Sequence, residues 1–111
     1  MNPAYPPEDP GMQPQLSAEF DREHGCTVPE WLGWLPGAVG VHVLELSAPD
    51  GARVSIGSGH LHLQWQALPP RQIALIRMPR LHVLYRFDAV SQAERVAFMR
   101  HFDLYMQRGG G

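Results

Sequence analysis

Between Val39 and Phe87 the hydrophobic residues recur at every second position in several short runs, with only a few residues connecting one run to the next. Alternate side chains of an extended chain point the same way, so each such run carries one apolar face. Parallel pairing needs a crossover of roughly a dozen residues or more, and none of these connections supplies one, whereas a hairpin closes with about two to five. The chain is thereby restricted to an antiparallel meander that must hide one of its faces.

The runs can be read individually. VGVHVLELS (39–47) is expected as a strand, APDG (48–51) as a turn with Pro and Asp suitably placed, and ARVSI (52–56) as the returning strand. HLHLQWQ (60–66) alternates cleanly, with Leu61, Leu63 and Trp65 on one face and His60, His62, Gln64 and Gln66 on the other. LPPR (68–71) reads as a loop. QIALIRM (72–78) is apolar in both phases, the pattern of a central or doubly covered strand. Pro79 marks a turn or bulge, and LHVLYRF (81–87) sends Leu81, Val83, Tyr85 and Phe87 inward and His82 and Arg86 outward.

On either side of these runs the period lengthens. Ser91 and Glu94 have capping-box spacing before a helix over 92–108, with Phe98, Phe102 and Tyr105 on its apolar stripe, Arg108 in its last turn and Gly109 as its stop. Upstream, LSAEFDREHG (16–25) suggests a turn or two of helix capped by Ser17. A second short helix follows, with Thr27 and Glu30 spaced as a capping box, Pro29 in its first turn and Pro36-Gly37 as its end. On it Trp31, Trp34 and Leu35 fall on one side. Residues 1–15 contain five prolines and little that could be buried, which predicts a disordered or polyproline-like arm. The expected fold is α+β, a four- or five-stranded, mostly antiparallel meander covered by the C-terminal helix. The domain organisation is an acidic, proline-rich arm (1–15), short helical segments (16–37) and a core (38–108) with its sheet over 39–87.

Charge and composition narrow the chemistry. Residues 1–30 hold six acids and one arginine, whereas residues 31–111 hold eight arginines and five acids, so an acidic leader precedes a mildly basic domain. There is no lysine, which removes Schiff-base and phosphate-loop lysine mechanisms. One cysteine, Cys26, leaves no internal disulfide and fits a reducing compartment. MNPAYPPEDP lacks the apolar run of a signal peptide, and no stretch is apolar for the length of a bilayer, so the sequence predicts a cytoplasmic protein without a membrane partner.

Several constellations resemble sites. His60 and His62 share a strand face, and His82 on another strand could join them around a metal. Zinc needs three or four ligands, however, and no acid lies between Asp50 and Asp88. A polar sheet face without metal or other cofactor is the expectation. Cys26 precedes a helix, but a nucleophilic thiol needs a cation or helix N-terminus fixed beside it. No nucleophile elbow or phosphate-binding glycine loop is present, so no catalytic residue is assigned. Arg80, Arg86 and His82 share an outward phase that could take an anion or a single-stranded nucleic acid. Trp31, Trp34 and Leu35 form the other candidate surface, packing either on this domain or on another chain. The leading expectation is a non-enzymatic interaction domain that binds a protein partner or itself through that helix. Anion or nucleic-acid binding through the arginine and histidine face comes next, and metal-dependent catalysis third.

Overall fold

The structure is a computed structural model and describes residues 16–108; the proline-rich arm and the Gly109 stop lie outside the described residues. Seven elements follow one another: β1 (Glu19–His24), α1 (Val28–Val39), β2 (Leu44–Ala48), β3 (Gly51–Ile56), β4 (Gly59–Ile73), β5 (Ile76–Asp88) and α2 (Gln92–Arg108). The strands form one sheet in the order β1-β5-β4-β3-β2, with every neighbouring pair antiparallel. β2 to β5 make the expected meander, and β1 adds to its far side.

β1 corrects the short helix expected over 16–25. EFDREH exposes Glu19, Asp21 and Glu23 and half-buries Phe20, Arg22 and His24, a period of two. Phe20 stacks on Tyr85 with ring centroids 4.8 Å apart, and Arg22 reaches Asp103 on α2 at 2.6 Å while its guanidinium lies over the Phe20 and Tyr85 rings. Helix propensity is a weak local preference, and the open edge of β5 overrides it here.

The capping box that starts α1 forms as expected. The Thr27 backbone N–H donates to Glu30 Oε1 at 2.9 Å, and the Glu30 N–H donates to Thr27 Oγ1 at 3.2 Å. The end of α1 is different. Pro36 lies inside the helix, which continues to Val39 and stops at Gly40, whose φ of 64° suits glycine. The Pro36-Gly37 pair is therefore no stop. Ala38 and Val39 are buried in the extra turn, and Gly37 lets Tyr105 of α2 occupy the space a Cβ would need. Because α1 takes Val39, the first strand expected over 39–47 shortens to β2, leaving Val41 and Val43 exposed in the connection.

Both helices pack over the same face of the sheet. Trp31 of α1 meets Trp65 at 5.9 Å and Phe102 at 6.1 Å, and α2 sets Phe102 edge-on to Tyr85 and Phe98 edge-on to Phe87. Leu61, Leu63, Trp65, Leu81, Val83, Tyr85 and Phe87, all expected to face inward, are buried. Ser91 and Glu94 cap α2 reciprocally, at 3.0 and 3.2 Å.

The largest departure from expectation lies between residues 66 and 80. LPPR is not a loop and QIALIRM is not a central strand. β4 runs unbroken to Ile73, the chain reverses at Ala74-Leu75 with Ala74 at a φ of 53°, and β5 returns from Ile76. β3 stops pairing with β4 at Gln64, and β1 stops pairing with β5 at Leu81. Beyond those points the two strands continue alone as a two-stranded arm. One extra residue on β4 makes a bulge between Leu68 and Arg71, and Pro69, Pro70 and Pro79 cluster around it. Proline cannot donate to a ladder and is tolerated where no third strand needs the hydrogen bond.

Candidate interaction surface

The face of the sheet turned away from the helices is uncovered among the described residues, and register decides what it presents. Glu45, Arg53, His62, Arg86 and Glu19 stand opposite one another in a row that crosses all five strands. Arg53 pairs with Glu45 at 2.7 Å. His62 lies between two arginines. Partial burial, then Arg86 and His60, lower its pKa, so it stays neutral where an ordinary histidine begins to charge. Toward the arm, His82 bonds Asp21 at 2.8 Å, and Arg80 grips both oxygens of Glu23 at 2.9 and 3.0 Å and also donates to the Pro69 carbonyl. The Arg80 hydrogen bond lowers the Glu23 pKa, holding that carboxylate charged.

These pairings describe the surroundings of the residues expected to take an anion. Arg80 and His82 already face carboxylates contributed by β1, the strand not anticipated from the sequence, and only Arg86 of the three carries no ion pair among the described residues. The metal grouping is not assembled. His60 and His62 are neighbours with ring centroids 6.1 Å apart, but His82 stands opposite Gln66, well along the strand from His62. No group of three His, Cys, Asp or Glu side chains among the described residues is placed to hold a metal ion.

The tryptophan surface is also relocated. Trp31 and Leu35 are wholly buried in their own domain, so the expected contact role of these two residues is corrected: they anchor α1 to the sheet and to α2. Trp34 is half-buried against the same core. Around Trp31 lies a set of perturbed groups. Burial pushes the Cys26 thiol up to about 11, keeping it protonated and unlike a nucleophile, and burial also raises the Tyr85 hydroxyl above its ordinary range. His24, whose pKa is lowered by burial and then by Arg22, shares a 2.6 Å hydrogen bond with the Tyr85 hydroxyl. His24 and Tyr85 thus satisfy each other inside the fold, whereas the Trp31 indole N–H is buried without a hydrogen-bond partner among the described residues.

Exposed large apolar side chains gather in two places among the described residues: Val41, Val43 and Leu46 before and along β2, and four residues on the arm. Residues 71–78 are all exposed, in contrast to the alternating burial of the same strands at their roots. Ile73, Leu75, Ile76 and Met78 are 54, 97, 61 and 46 % exposed. Ile73 stands opposite Ile76 and Arg71 opposite Met78, so these four share one side of the ribbon, while Gln72 and Arg77 share the other. Arg71 approaches Glu23 at 3.7 Å, which places the apolar stripe on the uncovered side of the sheet. The arm is thus an amphipathic hairpin with Leu75 at its turn.

These residues were missed because an apolar run in both phases suggests double coverage. The signal that identifies them is the symmetry of the prolines. Pro69-Pro70 and Pro79 bracket Ala74-Leu75 from both sides, and prolines so placed are incompatible with a central strand. In comparisons with protein-family models, with curated proteins and with solved structures, nothing matches this chain.

Proposed function

We propose that this chain is a non-enzymatic protein-interaction domain whose contact element is the arm formed by the distal halves of β4 and β5. The observation that carries the reading is the apolar side formed by Ile73, Ile76 and Met78, with Leu75 exposed at the turn, on a ribbon that adds nothing to the core. Scattered exposed aliphatics are ordinary, but three on one side of a ribbon with a fourth at its turn make a surface that gains free energy by being covered. The arm also has a built base. The Arg80–Glu23 pair and the Pro69 carbonyl fasten its root to β1, so the stripe is presented from a fixed direction. Ordering such a stripe before contact lowers the entropic cost of binding.

Placing a photoreactive amino acid at position 75 tests the reading directly. Irradiation in cells is expected to give protein adducts from position 75 and none from position 100, which lies on the exposed side of α2. Adducts equally abundant from both positions, or absent from position 75, would reject the arm as the contact element.

A further inference from the structure

We infer that β1 is an acid-released latch: a proton taken up by His24 opens the strand from β5 and α2, with Gly25 as its pivot, while the meander stays folded. Release also unfastens the root of the arm. Only that consequence rests on the reading of the arm as a contact element.

The trigger is the 2.6 Å bond between His24 Nε2 and the Tyr85 hydroxyl. Tyr85 is wholly buried, and among the described residues its hydroxyl has this one hydrogen bond. A buried O–H needs an acceptor, and the neutral ring supplies one at Nε2. A protonated ring carries hydrogens on both nitrogens and can only donate, so the Tyr85 O–H is left buried and unpaired.

The surroundings give the new charge little support. Arg22 faces the same side of β1, and Asp103 of α2 is already engaged by Arg22 at 2.6 Å. From α1 comes the uncharged Trp31 ring, 5.1 Å away between centroids. Glu30 of α1 is held in its capping box and bears on Cys26, whose protonated thiol adds no charge. Burial and Arg22 therefore lower the His24 pKa, and Asp103 only partly opposes them. A histidinium escapes this setting by reaching water.

β1 can open without the rest of the sheet. It is an edge strand paired only with β5, and none of its residues belongs to the buried core. Phe20 is its one apolar side chain, half-buried on Tyr85. The remaining ties are Asp21 to His82, Arg22 to Asp103 and Glu23 to Arg80. All three reach solvent, and such pairs hold weakly whatever the charge on His82. Gly25 follows with open space where a Cβ would stand, before buried Cys26 and the Thr27 cap fix the start of α1. β2 to β5 keep all their own pairing when β1 departs. Arg80 is then left with the Pro69 carbonyl, and Arg71 loses its carboxylate, so the base of the arm loosens.

Native-state hydrogen exchange of the full 111-residue chain, read amide by amide and corrected for the intrinsic effect of pH, tests the latch. Amides of β1 are expected to exchange at least about tenfold faster than those of β3, through an opening that low urea does not accelerate. That opening should rise by up to about tenfold per pH unit below about 6.5, and level off where the His24 ring is charged in the folded chain. His24→Gln supplies an acceptor that never charges and should abolish the rise. An NMR titration of the His24 ring in the wild type gives a second reading that needs no variant: its midpoint should fall below about 6.5 and match the levelling-off. Equal exchange and equal urea dependence in β1 and β3 would mean that β1 leaves only with the whole domain, which overturns the inference. An opening indifferent to pH, a rise that persists in His24→Gln, or a ring midpoint at or above about 6.5 overturns it as well. Exchange does not depend on what the arm binds, so this test and the adducts from position 75 fail separately.

Discussion

The two halves of the β4–β5 ribbon have the same backbone and opposite surroundings. At the root, residues 59–65 and 81–87 alternate between buried and exposed, and every inward side chain meets α1 or α2 or a neighbour that does. Along the arm, residues 71–78 are exposed in both phases. Apolar content does not separate them, since QIALIRM is as hydrophobic as LHVLYRF. The difference lies in neighbours: β1 and β3 end before the arm begins, and neither helix extends over it. A hydrophobic side chain on a strand stabilises the fold only where a second layer reaches it; elsewhere it is available for binding.

That contrast can be broken most sharply by substitution at its two ends. Trp65→Ala removes a buried root side chain and is expected to cost about 3–5 kcal/mol in urea unfolding. Ile76→Ala on the arm should change stability by less than about 0.5 kcal/mol. A loss above about 2 kcal/mol at Ile76 would show that the arm is packed against its own domain. Trp31→Ala belongs with the root, at about 3–5 kcal/mol, because α1 rests on that indole.

Smaller effects refine the picture of what holds the covering layer. Gly37→Ala pushes a methyl group into the Tyr105 ring and is expected to cost about 1–3 kcal/mol by forcing α1 and α2 apart. Ser91→Ala removes the cap of α2 and should cost about 1 kcal/mol. Acidification gives the mildest change. The His24 and His62 pKa values are lowered in the folded state, so the unfolded chain binds more protons than the folded one once the pH drops below about 6.5. Stability is then full above that pH and declines beneath it toward the folded values. Denaturation midpoints at a series of pH values should show the decline, and His24→Gln should reduce it.

Much of the root was legible because its instructions are local. Two capping boxes, the period-two runs and the short connections specify α1, α2, the four-stranded meander and its inward residues without reference to distant partners. Three features were not. EFDREH is charged and becomes a strand only because Tyr85 and Asp103 lie far along the chain, at positions that receive Phe20 and Arg22. Pro36-Gly37 looks like a helix stop because local chemistry cannot reveal that Tyr105 needs the missing Cβ. The arm was hidden by the same limit: alternation and hydrophobicity describe a strand, but what covers that strand is set by the lengths of its neighbours.

The place of β1 in the sheet has a kinetic consequence. The hairpins from β2 to β5 pair residues close together in the chain, whereas β1 pairs residues 19–24 with 81–86, closing a loop of roughly 60 residues whose entropy must be lost before any contact compensates. The meander can assemble first, and the N-terminal strand docks onto a surface that already exists. During synthesis Phe20 and Trp31 leave the ribosome before Tyr85 and Phe102, so the contacts that secure β1 and α1 wait until residue 102 has emerged. β1 is made before the meander and docks after it.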